Sequence, residues 1–342
     1  MEGIKRNYDL VTCGEIMLRL SPPRYERLSE GDVFEKHAGG AELNVASGAA
    51  QLGLLTAVVS KLPKNEMGAY IGKHVQYEGV SSEYLFYDKR PQARLGIYYY
   101  ETAAAPRKPR VIYDRALSSI NSLCCDDLPE TFWTSTRMFH VSGITLGLSE
   151  TLRLEIIHMI KKMREHGSQI SFDVNYRANL WDEQTARRTI EKVLPLTDIL
   201  FVSEESCRRM FQKKGTVEEM MKTFSEDFNV KIVATTQRTV HSPSCHDFTS
   251  IIYDAHKDKF YTEEPYRGIE VIDRIGSGDA YVAGVLYGLL QYDDAATAMH
   301  FGNAMSSMKN TVPGDQPSAT LTEIEELIHR HMSTEKGSEM ER

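Results

Sequence analysis

Asp273-Arg274-Ile275-Gly276-Ser277-Gly278-Asp279-Ala280, followed by Tyr281-Val282-Ala283-Gly284-Val285-Leu286-Tyr287-Gly288, reads as a tight glycine turn opening a buried helix. Glycines at 276 and 278 let the backbone turn sharply and approach a ligand closely. The first amides of such a helix have no intrahelical partners. Together with the helix dipole they make a seat for a phosphate or a developing oxyanion. Gly276, Ser277 and Gly278 are therefore the expected anion hole. Asp279 stands where those amides converge, as either an N-cap or a general base.

Working outward, the chain alternates apolar strand-like runs with helical patterns. YDLVTC (8–13), 56–62, MFHVSG (137 onward), QISFDV, DILFVS and KIVATT read as core strands. Helices are expected over 66–78, 149–166, 183–193, 204–212, 216–227, roughly 294–310 and 320–332. β stretches are expected at 248–254 and 258–263. Such alternation implies an α/β fold with a mainly parallel central sheet covered on both faces. Residues 16–38 and 93–115 differ, being β-rich with Pro-containing loops, and are expected to form a small β-sheet lid. The expected organisation is one domain over 1–332, with a charged, disordered tail at 333–342.

Ligands in such folds sit beyond the carboxyl ends of the strands. The loops at Gly14-Glu15, Gly143, Asp173–Arg177, Ser203 and Thr235–Gln237 should therefore face one crevice. Gly39-Gly40 opens a helix carrying Asn44, which suits sugar hydroxyls or an ordinary helix start. Arg177, in SFDVNYRANLW (171–181), offers a planar fork for a carboxylate or phosphate, or else belongs to a salt-bridged surface loop. Tyr98, Tyr113 and Arg115 on the lid could cover a polar substrate or simply pack on the core. Asn303 and Asp315 follow the anion-hole helix and suit contacts to a nucleotide and to a substrate hydroxyl.

Composition narrows the function. The formal net charge of -8 argues against a nucleic-acid surface. The start MEGIKRNYDL has no apolar signal core, and no apolar run approaches the ~20 residues of a membrane span. The five cysteines are odd in number and lack a disulfide or zinc framework, so the cytoplasm is the expected location and no membrane partner is expected. His241-Ser-Pro-Ser-Cys245-His246 has no second ligand pair and is expected to be an ordinary loop, and the vicinal Cys124-Cys125 a buried structural pair. The P-loop pattern is absent, and Gly276-Ser-Gly278-Asp-Ala-Tyr281 lacks the third glycine of a dinucleotide fingerprint.

GGAELNVA at 39–46 and D-x-x-G-S-G-D-A-Y-x-A-G at 273–284 together resemble the ribokinase or PfkB family of carbohydrate kinases. Within it, VSGI, SFDVNYRANLW and RVIYDR are most similar to 2-keto-3-deoxygluconate kinases. The resemblance implies a ribokinase-like three-layer sandwich that uses ATP and Mg²⁺ to phosphorylate a small-molecule sugar acid. It implies Asp279 as the base and the 276–278 amides as the anion hole. Gly40, Tyr98, Tyr113, Arg115, Arg177 and Asp315 match sugar-acid contacts, with Asn44 beside them. Asn175, Arg177, Ser203 and Asn303 match the nucleotide side, where Thr236 is also placed. The lid's β face suits a second copy, so a homo-oligomer is expected. A fructokinase-like hexose kinase and a non-catalytic sugar-binding protein remain as alternatives. Two departures stand out. The family's N-x-x-E stretch is here Ser203-Glu204-Glu205-Ser206, so no metal ligand is assigned, and the loop TTQRTVHSPSCHD lacks the usual glycine-rich turn.

Overall fold

In the apolar strands, successive side chains serve opposite faces of one sheet, as the two-residue period of a strand requires. Leu10 joins one core cluster and Val11 the other, and Ile199, Leu200 and Phe201 alternate in the same way. The computed structural model describes residues 6–333. The elements run β1 Tyr8–Cys13, β2 Met17–Ser21, β3 Glu35–Gly39, α1 Ala41–Gln51, β4 Thr56–Pro63, α2 Glu66–Tyr77, β5 Leu85–Asp88, β6 Gly96–Glu101 and β7 Arg110–Asp114. They continue with β8 Thr136–Ser142, α3 Gly143–Gly147, α4 Glu150–Glu165, β9 Gln169–Asp173, α5 Glu183–Val193, β10 Ile199–Phe201, α6 Glu204–Arg209 and α7 Val217–Phe228. The last group is β11 Ile232–Ser242, β12 Cys245–Asp254, β13 Lys259–Thr262, β14 Tyr266–Glu270, α8 Ser277–Tyr292, α9 Ala295–Lys309 and α10 Leu321–Met332.

The central sheet has the order β13-β12-β11-β10-β9-β8-β1-β4-β5, with β14 also paired to β12. Its middle pairings, from β11 across to β5, are parallel, and β12 turns antiparallel at one end. One face is covered by α4, α5 and α7, through Ile156, Ala186 and Met220 among others. The other is covered by α1, α8, α9 and α10, through Val45, Ala283, Met305 and Ile324. The second sheet has the order β3-β2-β6-β7 and stands apart from the first, as expected for strands from 16–38 and 93–115.

Three features of the fold differ from the sequence expectation. The segment 237–247 is not a loop: β11 runs on to Ser242 and pairs with β12 from Ser242↔Cys245 to Ile232↔Asp254. The Thr/Val-rich run favours a strand, and Pro243-Ser244 closes the turn, since Pro pre-sets the backbone there without a glycine. Strands β5 and β14 were not foreseen, because each is a short edge segment of mixed polarity. Cys124 and Cys125 are half-buried free thiols rather than core residues. The charged tail lies outside the described residues from 334 onward.

One buried ion cluster ties the lid to the core. Arg19 on β2 pairs with Asp273 at 2.7 Å and Asp315 at 3.0 Å, and all three are almost fully buried. Asp273 also accepts from the N–H groups of Ile275 and Gly314, so it braces both loops that flank the α8 turn. Removing one member of such a cluster strands the rest in a dry interior. We expect Arg19→Met to cost about 3–5 kcal/mol in urea unfolding. A loss below about 1 kcal/mol would show that the cluster does not hold the lid.

Candidate active site

The crevice lies where the carboxyl ends of β8, β9, β10 and β11 meet the start of α8. Its larger cavity, about 420 Å³, is lined by Asn175, Arg177, Ser203, Thr236 and Gly278. A smaller one, about 280 Å³, is lined by Gly40, Asn44, Tyr98, Tyr113, Arg115, Asp279 and Asp315, with Gly276 and Ser277. Asp173, Asn175, Arg177 and Gly278 line both, so the two cavities meet beside Asp279. Residues expected on the nucleotide and sugar sides thus fall into two adjoining spaces.

Gly276 is the N-cap of α8, in the left-handed conformation at φ 81. A Cβ there would lie 1.9 Å from the Asp315 carbonyl oxygen, so only glycine fits. Gly278, by contrast, faces open space. Asp279 is therefore the third helical residue and not the N-cap. The anion hole also differs from expectation in one amide. Ser277 N–H closes a turn onto the Arg274 carbonyl (3.2 Å), while the N–H groups of Gly276, Gly278 and Asp279 meet no partner among the described residues. All three are open to donate to an anion.

Asn44 lines the smaller cavity as expected and in addition bonds Asp279. It reaches across from the first turn of α1, and its Nδ2 donates to Asp279 Oδ2 at 2.7 Å. That leaves Asp279 Oδ1 without a hydrogen bond among the described residues. Burial pushes the Asp279 carboxyl up to about 7, against the opposing pull of Asn44 and Arg177. Asp173, at the end of β9, is likewise raised to about 7, by burial and then by the negative charge of Asp279. Both carboxylates line the smaller cavity.

The lid contributes two anchored groups. Tyr98 hydrogen-bonds Asp315, and Arg115 is held by Glu15 through Nε at 2.7 Å and Nη2 at 2.5 Å. Arg115 is thus already paired with a buried acid. Tyr113 stacks at a tilt beside Tyr98 with centroids 5.8 Å apart. Arg177 is freer: its Nη1 meets only the Tyr176 carbonyl at 3.1 Å. Two further arginines, Arg238 and Arg274, line the smaller cavity with no carboxylate within pairing distance among the described residues. Each depends on an element whose path sequence periodicity did not show, the extended β11 and the α8 turn. Asp173 is visible in the sequence as a carboxylate at a strand end, but the influence of Asp279's charge on it is not.

On the nucleotide side, Ser203 caps α6, accepting from Ser206 N–H and donating to Ser206 Oγ at 2.9 Å. Glu205 and Glu183 line the same cavity. Asn303 is not there: it is fully buried on α9, donating to Glu263 at 2.5 Å beside His300. Helix periodicity could not separate the crevice side of α9 from its packed side. His241 pairs with Asp247 at 2.8 Å, and no cluster of three or more His, Cys, Asp or Glu suited to a metal exists among the described residues.

The raised carboxyl of Asp279 has a consequence for stability. Its folded value exceeds the ordinary 3.8, so between about 4 and 7 the folded protein holds more protons than the unfolded chain. Stability from this group is present at low pH and lost as pH rises through 7. Asp279→Asn removes the penalty and should raise stability by about 1 kcal/mol at pH 8, with a smaller gain at pH 5. Thermal melts at both values check this, and a gain independent of pH would contradict it.

The family model "pfkB family carbohydrate kinase" matches residues 7–322. The chain is 34% identical over 320 residues to the 2-dehydro-3-deoxygalactonokinase of Haloferax volcanii, covering 94% of this chain and 96% of that protein. It is 32% identical to the 2-dehydro-3-deoxygluconokinase of Thermotoga maritima, whose crystal structure superposes with a TM-score of 0.89 over 95% of this chain and 99% of that one. A putative Ribokinase II from E. coli, 21% identical, superposes with a TM-score of 0.83 over 95% and 100% of the two chains, which establishes the ribokinase-like fold. With its glycine-opened helix, half-buried aspartate and paired cavities, the chain belongs to the pfkB family of carbohydrate kinases.

Proposed function

We propose that the protein transfers the γ-phosphoryl group of ATP to the terminal hydroxyl of 2-keto-3-deoxygluconate, forming 2-keto-3-deoxy-6-phosphogluconate. The observation that carries this reading is the placement of Asp279. Its unpaired Oδ1 and the open N–H groups of α8 meet where the two cavities join. The relatives named for keto-deoxy sugar acids supply the substrate class. The arginines lining the smaller cavity give a carboxylate somewhere to bind.

In this mechanism the sugar acid lies in the smaller cavity and ATP in the larger. Asp279 accepts the proton of the C6 hydroxyl as its oxygen bonds to the γ-phosphorus and the bond to the ADP oxygen breaks. The amides of Gly276, Gly278 and Asp279 receive the charge on the phosphoryl oxygens. Arg177, at the junction, neutralises charge on either side. Tyr98 and Asp315 are held together and face the sugar, and Tyr113 covers it from the lid. Mg²⁺ suits the donor set, because it takes one or two carboxylates plus substrate phosphates and keeps its waters, and Asp173, Glu183 and Glu205 are the available acids. When bound, it supplies charge neutralisation to the nucleotide phosphates. We assign the reaction to the cytoplasm, where ATP is kept and where five free cysteines stay reduced. A homo-oligomer is proposed through the lid face, where Val33, Phe34 and Ile112 are exposed.

The galactonate epimer is a second substrate reading, favoured by the 34% identity to the Haloferax volcanii enzyme. The two acids differ only at C4 and share the carboxylate and the reacting hydroxyl. An ADP-release assay over both epimers, fructose and ribose tests the proposal. We expect turnover of at least one keto-deoxy acid. Arg177→Ala should raise KM for those acids about tenfold or more, the scale of one charge-assisted contact. Efficient turnover of fructose or ribose with none of either acid would reject it.

A further inference from the structure

Behind Asp279 runs a continuous hydrogen-bonded chain. Gln316 Nε2 donates to the carbonyl oxygen of Ala38 at 2.8 Å and to Asn44 Oδ1 at 3.1 Å. Asn44 Nδ2 donates to Asp279 Oδ2 at 2.7 Å. At the far end, Gln316 Oε1 lies 3.3 Å from His74 Nε2. Asn44 and Gln316 are both buried, so water does not compete for these groups.

One group fixes the direction of every link. A backbone carbonyl can only accept, so the nitrogen of Gln316 must face Ala38. The same nitrogen reaches Asn44, which must present its oxygen there. The Asn44 nitrogen is then turned to Asp279, whose Oδ2 must accept. In the other direction Gln316 presents its oxygen to His74, so His74 Nε2 carries a hydrogen. Ala38 lies on β3, so a lid strand sets the polarity of a chain that ends on the core aspartate.

We infer that Gln316 is a positioning residue: by fixing the amide of Asn44, it keeps Asp279 Oδ2 an acceptor and leaves Oδ1 free to take the substrate proton. The inference rests on Asp279 being the base. An amide is nearly symmetric in shape, and without Gln316 the Asn44 side chain can turn over. Its oxygen would then face Asp279, and two oxygens in contact need a proton between them. The base would start the reaction already protonated. The charges facing Asp279 do not prevent this. Arg177 opposes protonation, whereas Asp173, Glu42 and Asp315 favour it. Lys309 on α9 is a further cation in the same neighbourhood. The arginines at 115, 238 and 274 line the cavity but do not bond the carboxylate.

The test is the pH profile of kcat/KM for Gln316→Met, which keeps the shape and removes the donor, and for Gln316→Glu, which removes the donor and keeps the size. Tm is measured for both, and either variant that folds decides the matter. The acid limb should move upward by on the order of one pH unit, so activity falls about tenfold at pH 6 and recovers towards pH 9. A loss equal at every pH, with the midpoint unmoved in a folded variant, overturns the positioning role. Asp279→Asn is assayed alongside. If it turns over like the parent protein, the base assignment itself fails, whatever the Gln316 variants do.

Discussion

A 2.7 Å hydrogen bond between Asn44 and Asp279 joins residues 235 positions apart, and the active site is built around it. It requires α1 and α8 to enter the same corner of the molecule, one from each glycine-opened turn. The small residues of both helices permit that approach. Gly48 on α1 leaves room for Ala283 on α8, and Gly284 and Gly288 let α9 close from behind. The tight core is therefore part of the chemistry, since it sets where the carboxylate and the helix amides meet. Arg19, bridging Asp273 and Asp315, then fastens the lid to the two loops beside that meeting point.

The electrostatics of the crevice favour function over stability. Burial raises the carboxyls of both Asp279 and Asp173 towards neutrality, and at Asp173 the negative charge of Asp279 adds to it. Arg177, Arg238 and Arg274 face the cavity without acidic partners among the described residues. All three are exposed at the crevice, where phosphate and carboxylate groups can meet them. The site also leaves the Asp279 carboxyl raised towards neutral pH, the range in which a general base is most effective.

Much of this was legible in the sequence. Strand–helix alternation gave the parallel sheet, and the β-rich segments 16–38 and 93–115 gave the second sheet, because periods of 2 and 3.6 are local properties. The two glycine motifs marked the anion hole and Asp279. What stayed hidden depends on long-range packing. Asn44 is bonded to Asp279, and Arg115 is already paired to Glu15; neither partner is near in sequence. Asn303 lies on the packed side of α9, a distinction the sequence does not show because polar residues of this helix are buried along with its apolar ones. Arg238 comes to the cavity on a strand extension that glycine-based turn rules do not predict, and Gln316 carries no motif at all.

The central claim is that Asp279 moves the proton while the α8 amides receive the phosphoryl group. It is tested most directly by single-turnover phosphoryl transfer in Asp279→Asn, with binding of ATP and of the sugar acid measured separately by calorimetry. The account predicts that both ligands bind within a few-fold of the parent protein while the transfer step slows by roughly 10²–10⁴-fold, the scale of a lost general base. Transfer at the parental rate, or a defect located entirely in ligand binding, would contradict it.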